Sequence, residues 1–118
     1  MTDVAFKLVD REEWELARLD GAYAGSAVDL QDGYIHMSTS AQLAETARRH
    51  YAGSGDLLLV TVDLTVLGEA LKWEASRGGD LFPHLFGALP LSAAREERAL
   101  SVDEDGLMKF EDGVVGWA

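Results

Sequence analysis

The sequence predicts an α+β fold, a single domain of two short helices packed on small, split mixed or antiparallel β-sheets. Three observations carry that expectation. A length of 118 residues suits one domain. Most apolar runs are of strand length, and only two stretches show a helical stripe. The elements follow the order β-α-β-α-β-β-β, which is not the regular alternation that builds a parallel sheet. With 47% apolar and 26% charged residues, the composition is that of a folded globule.

Val4-Ala5-Phe6-Lys7-Leu8-Val9 is an apolar run of strand length. It stops at Asp10, three places before Glu13, the spacing of an N-cap with its capping-box partner. A helix is therefore expected from about Arg11 to Leu19, with Trp14 and Ala17 three apart and Gly21 as its stop. Residues 21–33 are rich in turn formers and read as a loop. Tyr34-Ile35-His36-Met37-Ser38 is the next strand. Its alternation sends Ile35 and Met37 to the core and leaves Tyr34, His36 and Ser38 together on a face toward a polar cleft or solvent. Thr39-Ser40-Ala41-Gln42 is a capping box that opens a second helix, with Leu43, Ala47 and Tyr51 on one stripe. Gly53-Ser54-Gly55-Asp56 ends it.

Residues 57–64 are apolar on both faces and predict a central strand. Residues 71–76 alternate again, Leu71, Trp73 and Ala75 against Lys72, Glu74 and Ser76, and 77–80 form a Gly-rich loop. In Phe82-Pro83-His84-Leu85-Phe86-Gly87 the proline argues for an edge or extended segment, not a central strand. Residues 100–102 and 107–110 flank Asp103-Glu104-Asp105-Gly106 as a terminal hairpin, so 95–118 reads as hairpin plus acidic tail.

Ten Lys and Arg against 21 Asp and Glu leave a formal charge of −11. Phosphate backbones are gripped by clustered cations, so nucleic acid and anionic membranes are not expected partners. The distribution runs −5 over residues 1–32, −2 over 33–100 and −4 over 101–118, so a small anionic ligand would suit the middle of the chain. The absence of cysteine excludes disulfides and thiol nucleophiles. No 18-residue apolar run and no signal-peptide layout is present, which predicts a cytoplasmic domain. Histidines at 36, 50 and 84 lack i, i+4 spacing, and no metal site is expected. The residues alone do not fix an oligomeric state.

Several side chains remain as candidates, each beside a plainer alternative. His36 and Ser38 on one strand face resemble an active-site rim, or are a half-exposed strand leading into a cap. Glu74 is a candidate carboxylate, or simply solvated. His84 sits between Phe82 and Phe86 and is functional or packed. His50 follows two arginines late in a helix, where a cation suits the helix dipole.

Asp32-Gly33-Tyr34-Ile35-His36-Met37-Ser38-Thr39, Leu71-Lys72-Trp73-Glu74-Ala75-Ser76-Arg77 and the run from Leu81 to Leu91 resemble the motifs of domain-of-unknown-function family 952, a likeness running from about Phe6 to Ala94. That family is grouped with the ADP-ribosyltransferase-like fold, so the resemblance implies NAD bound in a cleft between two small sheets. Ile35 to Ser38, Thr46-Ala47 and residues 57–63 are also similar, more weakly, to RNA 2′-phosphotransferases of that superfamily. The acidic charge speaks against an RNA substrate. Superfamily members usually place a His or Arg on the first strand, where this chain offers Lys7. Polar-face placement taken together with the resemblance points to His36, Ser38 and Glu74 as the chemical group, with Lys7, Tyr34, Thr39, Arg77 and His84 contacting the ligand, although the resemblance supplies no counterpart for His84.

Breaking the nicotinamide–ribose bond develops positive charge on the ribose. A carboxylate about 4 Å away at an effective dielectric near 20 contributes roughly 4 kcal/mol of Coulomb energy. Glu74 can supply it if the fold brings it beside His36 and Ser38. Two phosphates need only one or two cations, such as Lys7 and Arg77. The alternatives are a nucleotide-binding module without turnover, and a protein-interaction domain presenting Trp73, Phe82 and Phe86 as one exposed patch.

Overall fold

The computed structural model describes residues 2–117, apart from the side chain of Arg77. Strand β1 (Val4–Asp10) pairs antiparallel with β4 (Leu57–Asp63), which pairs with β8 (Ala94–Val102), and β8 with β9 (Met108–Phe110). Alternation on β4 sends Leu58, Val60 and Val62 to one core and Leu57 and Leu59 to another, so the strand is buried on both faces, as its apolar run predicts.

Helix α1 (Arg11–Asp20) follows β1 directly. The Asp10 carboxylate accepts from the Glu13 amide at 3.0 Å, and Gly21 closes the helix at φ 78°. Helix α3 (Ser40–His50) buries Leu43 and Ala47 as its stripe predicts. The Gln42 side chain accepts from the Thr39 amide at 3.0 Å and donates to the Leu81 carbonyl at 2.8 Å.

Residues 21–33 depart from the expected loop. They hold a two-residue strand β2 (Ala22–Tyr23) and a short helix α2 (Ala27–Asp32), so the described residues form three α-helices where two were expected. The physical reason is a second capping box, Ser26 with Asp29, closed by Gly33 at φ 88°.

The remaining strands form two small antiparallel sheets, β2 with β7 (Leu89–Pro90), and β3 (Ile35–His36) with β6 (Leu81–Leu85) and β5 (Leu71–Ala75). All pairings are antiparallel. Here the proline argument fails, because β6 lies centrally between β3 and β5. Pro83 pairs with Trp73 on β5 but turns its carbonyl the other way, accepting from the Met37 amide at 3.1 Å, so the N–H it lacks would point past the end of the two-residue β3 ladder.

The three-stranded sheet is tied to β1 by one bridge, Phe6 amide to Ser38 carbonyl at 2.8 Å and Ser38 amide to Phe6 carbonyl at 2.9 Å. Strand β8 begins at Ala94 and is integral to the main sheet, so the terminal hairpin is the end of a longer strand pair. Trp117 returns across it, its ring 5.1 Å from Phe6. Among the described residues no helix is long and apolar enough to cross a membrane.

Candidate functional site

The site grows from helix α2. Its capping box buries Asp29, which is 2% exposed. Gly25, at φ 119°, lets the chain approach this closely, since a Cβ there would lie 2.8 Å from the Asp29 Cβ. The carboxylate accepts from the Ser26 amide at 2.9 Å and the His36 amide at 3.1 Å, and its Oδ1 lies 2.6 Å from His36 Nδ1. Lys7 Nζ, 4% exposed, sits 3.1 and 3.2 Å from its two oxygens. Burial alone would raise the Asp29 pKa; the His36 hydrogen bond and the Lys7 charge outweigh it and hold the carboxyl below the usual range. Burial lowers the Lys7 ammonium, against the opposing pull of Asp29.

Strand pairing assembles the rest. His36 and His84 are direct cross-strand partners, and Lys72 stands opposite His84 on its other side. The two imidazole centroids are 5.6 Å apart. His84 Nδ1 lies 2.8 Å from Glu74 Oε1, and His36 Nε2 lies 2.9 Å from Asp32 Oδ2. Tyr34 covers both rings, 4.6 Å from His36 and 4.2 Å from His84, and Phe86 follows at 5.1 Å from Tyr34. Partial burial and then the charges of Asp32 and Glu74 push the Tyr34 phenol upward. Beside Asp29 opens a cavity of about 210 Å³ that reaches Leu30, Gly33, Tyr34 and Gly87.

A model of the family described as "Protein of unknown function (DUF952)" matches residues 8–97. The chain belongs to this family. The crystal structure of protein CC0527 from Caulobacter crescentus is similar at 45% identity with a TM-score of 0.85, covering 90% of this chain and 93% of that one. The solution NMR structure of CC0527 is similar at 47% identity with a TM-score of 0.76, covering 87% and 89%. No curated protein matches the sequence.

In this DUF952 domain His36, Tyr34, His84 and Glu74 come together on one sheet face, with His36 and Glu74 side chains 34% and 43% exposed. His84 itself is buried, 4% exposed, and Ser38 lies away from this face. Ser38 is 3% exposed, and its hydroxyl lies 2.8 Å from that of Thr46, because the chain turns there to bridge β1. Thr39 serves at the start of α3 through its amide. Lys7 touches Asp29 and not the open face. Arg77 opens the 3-10 turn Arg77–Gly79, and its side chain lies outside the described residues.

The expected aromatic patch is not formed. Phe82 is buried, and alternation puts Trp73, paired with Pro83, on the opposite face from Phe86. Trp73 instead lines a separate cavity of about 360 Å³ with Leu64, Leu71 and the N-terminal residues Thr2 and Asp3. Sequence reasoning missed Asp29 and Asp32. The signal was present in Ser26-x-x-Asp29 followed by Gly33, a capping box with its stop.

Proposed function

We propose that the open face of the three-stranded sheet binds NAD or a closely related N-ribosyl nucleotide and cleaves or transfers at the bond between base and ribose. The observation that carries this reading is the Asp29-held His36 beside the Glu74–His84 pair under one aromatic cover. Tyr34 and Phe86 offer stacking surfaces for a planar base. Asp32 and Glu74 suit ribose hydroxyls as donors, and their charge favours a cationic ribose over a polyanion.

When the glycosidic bond breaks, its electron pair stays on the base nitrogen and positive charge develops at the ribose carbon. Glu74 stabilises that charge. Water or an acceptor hydroxyl adds to the carbon and gives its proton to His36 Nε2.

The test is incubation with millimolar NAD. Free nicotinamide should appear and the melting temperature should rise, with release reduced at least about tenfold by His36→Ala or Glu74→Gln in folded protein. Neither release nor thermal shift rejects the reading. The burial of Lys7 favours a second one, a binding module without chemistry, because no cation from β1 reaches the ligand face. Stabilisation by NAD without nicotinamide release supports that alternative.

A further inference from the structure

Both ring nitrogens of His36 meet carboxylates, Asp29 at Nδ1 and Asp32 at Nε2. A carboxylate only accepts, and a neutral imidazole carries a single N–H. When the ring is neutral, one of the two contacts must therefore give way. The two acids differ in how freely they can do so. Asp29 is 2% exposed and fixed by Lys7 and by the amides of Ser26 and His36, so it cannot turn to water. An imidazole lone pair 2.6 Å from that buried oxygen would face repulsion in a poorly screened place. Asp32 ends a short helix with its side chain 42% exposed, where an ion pair contributes little and water replaces it.

We propose that Asp29, backed by Lys7, is a positioning residue that keeps the His36 proton on Nδ1 and presents the Nε2 lone pair to the open face, with Asp32 as the partner a ligand hydroxyl displaces. The inference deepens the nucleotide-site reading, on which it rests for the identity of that hydroxyl. Asp29 and Lys7 act through His36 without touching substrate, while Asp32 gives up its Nε2 contact when the ligand hydroxyl arrives and is left to accept from the ribose. The charged and titratable groups around the ring are Asp29 and Asp32 from α2, Lys7 from β1, Tyr34 beside it, and His84 with Glu74 from the facing strands.

The experiment is ring-nitrogen NMR of the ¹⁵N-labelled full chain, without ligand, at a pH about two units above the ordinary imidazole value of about 6.5. The Nδ1–H tautomer of His36 should exceed the other by about tenfold, the size a charge-assisted hydrogen bond supports. Asp32→Asn should keep that excess. Asp29→Asn should collapse it to about threefold or less while His84, held by Glu74, stays unchanged. Glu74→Gln should do the reverse. If Asp29→Asn fails to fold, the wild-type and Asp32→Asn spectra still decide. A dominant Nε2–H tautomer, or a ring protonated on both nitrogens at that pH, overturns the proposal. No NAD is involved, so a failed nicotinamide assay leaves the tautomer result standing, and a failed tautomer result leaves turnover to be judged separately.

Discussion

Lys7 and Leu8 are neighbours on β1 that point to opposite faces, and the two sides they enter are built differently. Leu8 joins an apolar cluster with Leu43, Leu57, Leu59, Leu100, Met108 and Phe110, bordered by Tyr51, whose hydroxyl donates to the Leu8 carbonyl at 3.1 Å. Lys7 enters the side of Ala5, Val9, Trp14, Tyr23 and Ile35, where the buried Lys7–Asp29 pair sits and where the Trp14 indole N–H and the Tyr23 hydroxyl find no hydrogen-bond partner among the described residues. Burying an ion pair is a poor way to gain stability, because desolvation offsets much of the attraction. Breaks in the local rules of packing gather where function needs them. The Leu8 side holds the sheet together; the Lys7 side holds His36 in place.

The sharpest way to break this contrast is to remove one partner on each side. Lys7→Met leaves Asp29 buried without its cation and should cost about 3–5 kcal/mol in urea denaturation. Adding Asp29→Asn to that variant should recover up to about half the loss, because the uncompensated charge is gone; the single amide oxygen keeps only one of the two backbone amides, His36 or Ser26, which bond different oxygens of Asp29. Leu8→Ala should cost about 2–5 kcal/mol through its cavity, and no second polar change should restore it. Equal destabilisation of Lys7→Met and its double variant would mean that the pair does not act as a coupled charge.

How much of this was legible in the sequence follows the same division. Apolar runs of strand length located β1 and β4, and helical stripes with their caps located α1 and α3, because burial there follows from short local patterns. Alternation also put Tyr34 and His36 on one face, whereas the pairing of His84 with His36 emerged only with the β3–β6 ladder. It went wrong at Ser38, since a strand that changes partner after two residues buries both of its faces. Pro83 misled for a related reason, as the ladder that needs its N–H ends one residue earlier. Asp29 was hidden because its neighbours Lys7 and His36 lie 22 and 7 residues away, and no local pattern encodes such pairings.

A medium effect should appear in acid. Asp29 binds its proton less readily folded than unfolded, so protons favour the unfolded chain. Its contribution is therefore complete above the ordinary carboxylate value of about 3.9 and is lost as pH falls through the depressed folded value. Stability measured below about pH 4 should decline more steeply in wild type than in Asp29→Asn, by up to about 1.4 kcal/mol per pH unit. Glu45, Asp63, Asp103 and Asp112 are also depressed by hydrogen bonds and nearby cations, but they are present in both proteins and cancel in the comparison. Parallel acid limbs would show that Asp29 binds its proton equally well folded and unfolded, so that Lys7 and His36 do not hold its charge.

The smallest effect concerns the seam between the two regions. Gln42 binds the Thr39 amide and the Leu81 carbonyl, so one side chain fastens the start of α3 to the three-stranded sheet. Neither bond is deeply buried, and water can replace both. Gln42→Ala should therefore cost about 1 kcal/mol, a drop of about 4 °C in melting temperature for a chain of this length. Because Gln42 touches none of His36, His84 or Glu74, the thermal shift produced by NAD should keep its wild-type size. A shift that vanished with Gln42 would mean that the seam shapes the ligand face, and that the two regions are less independent than their packing indicates.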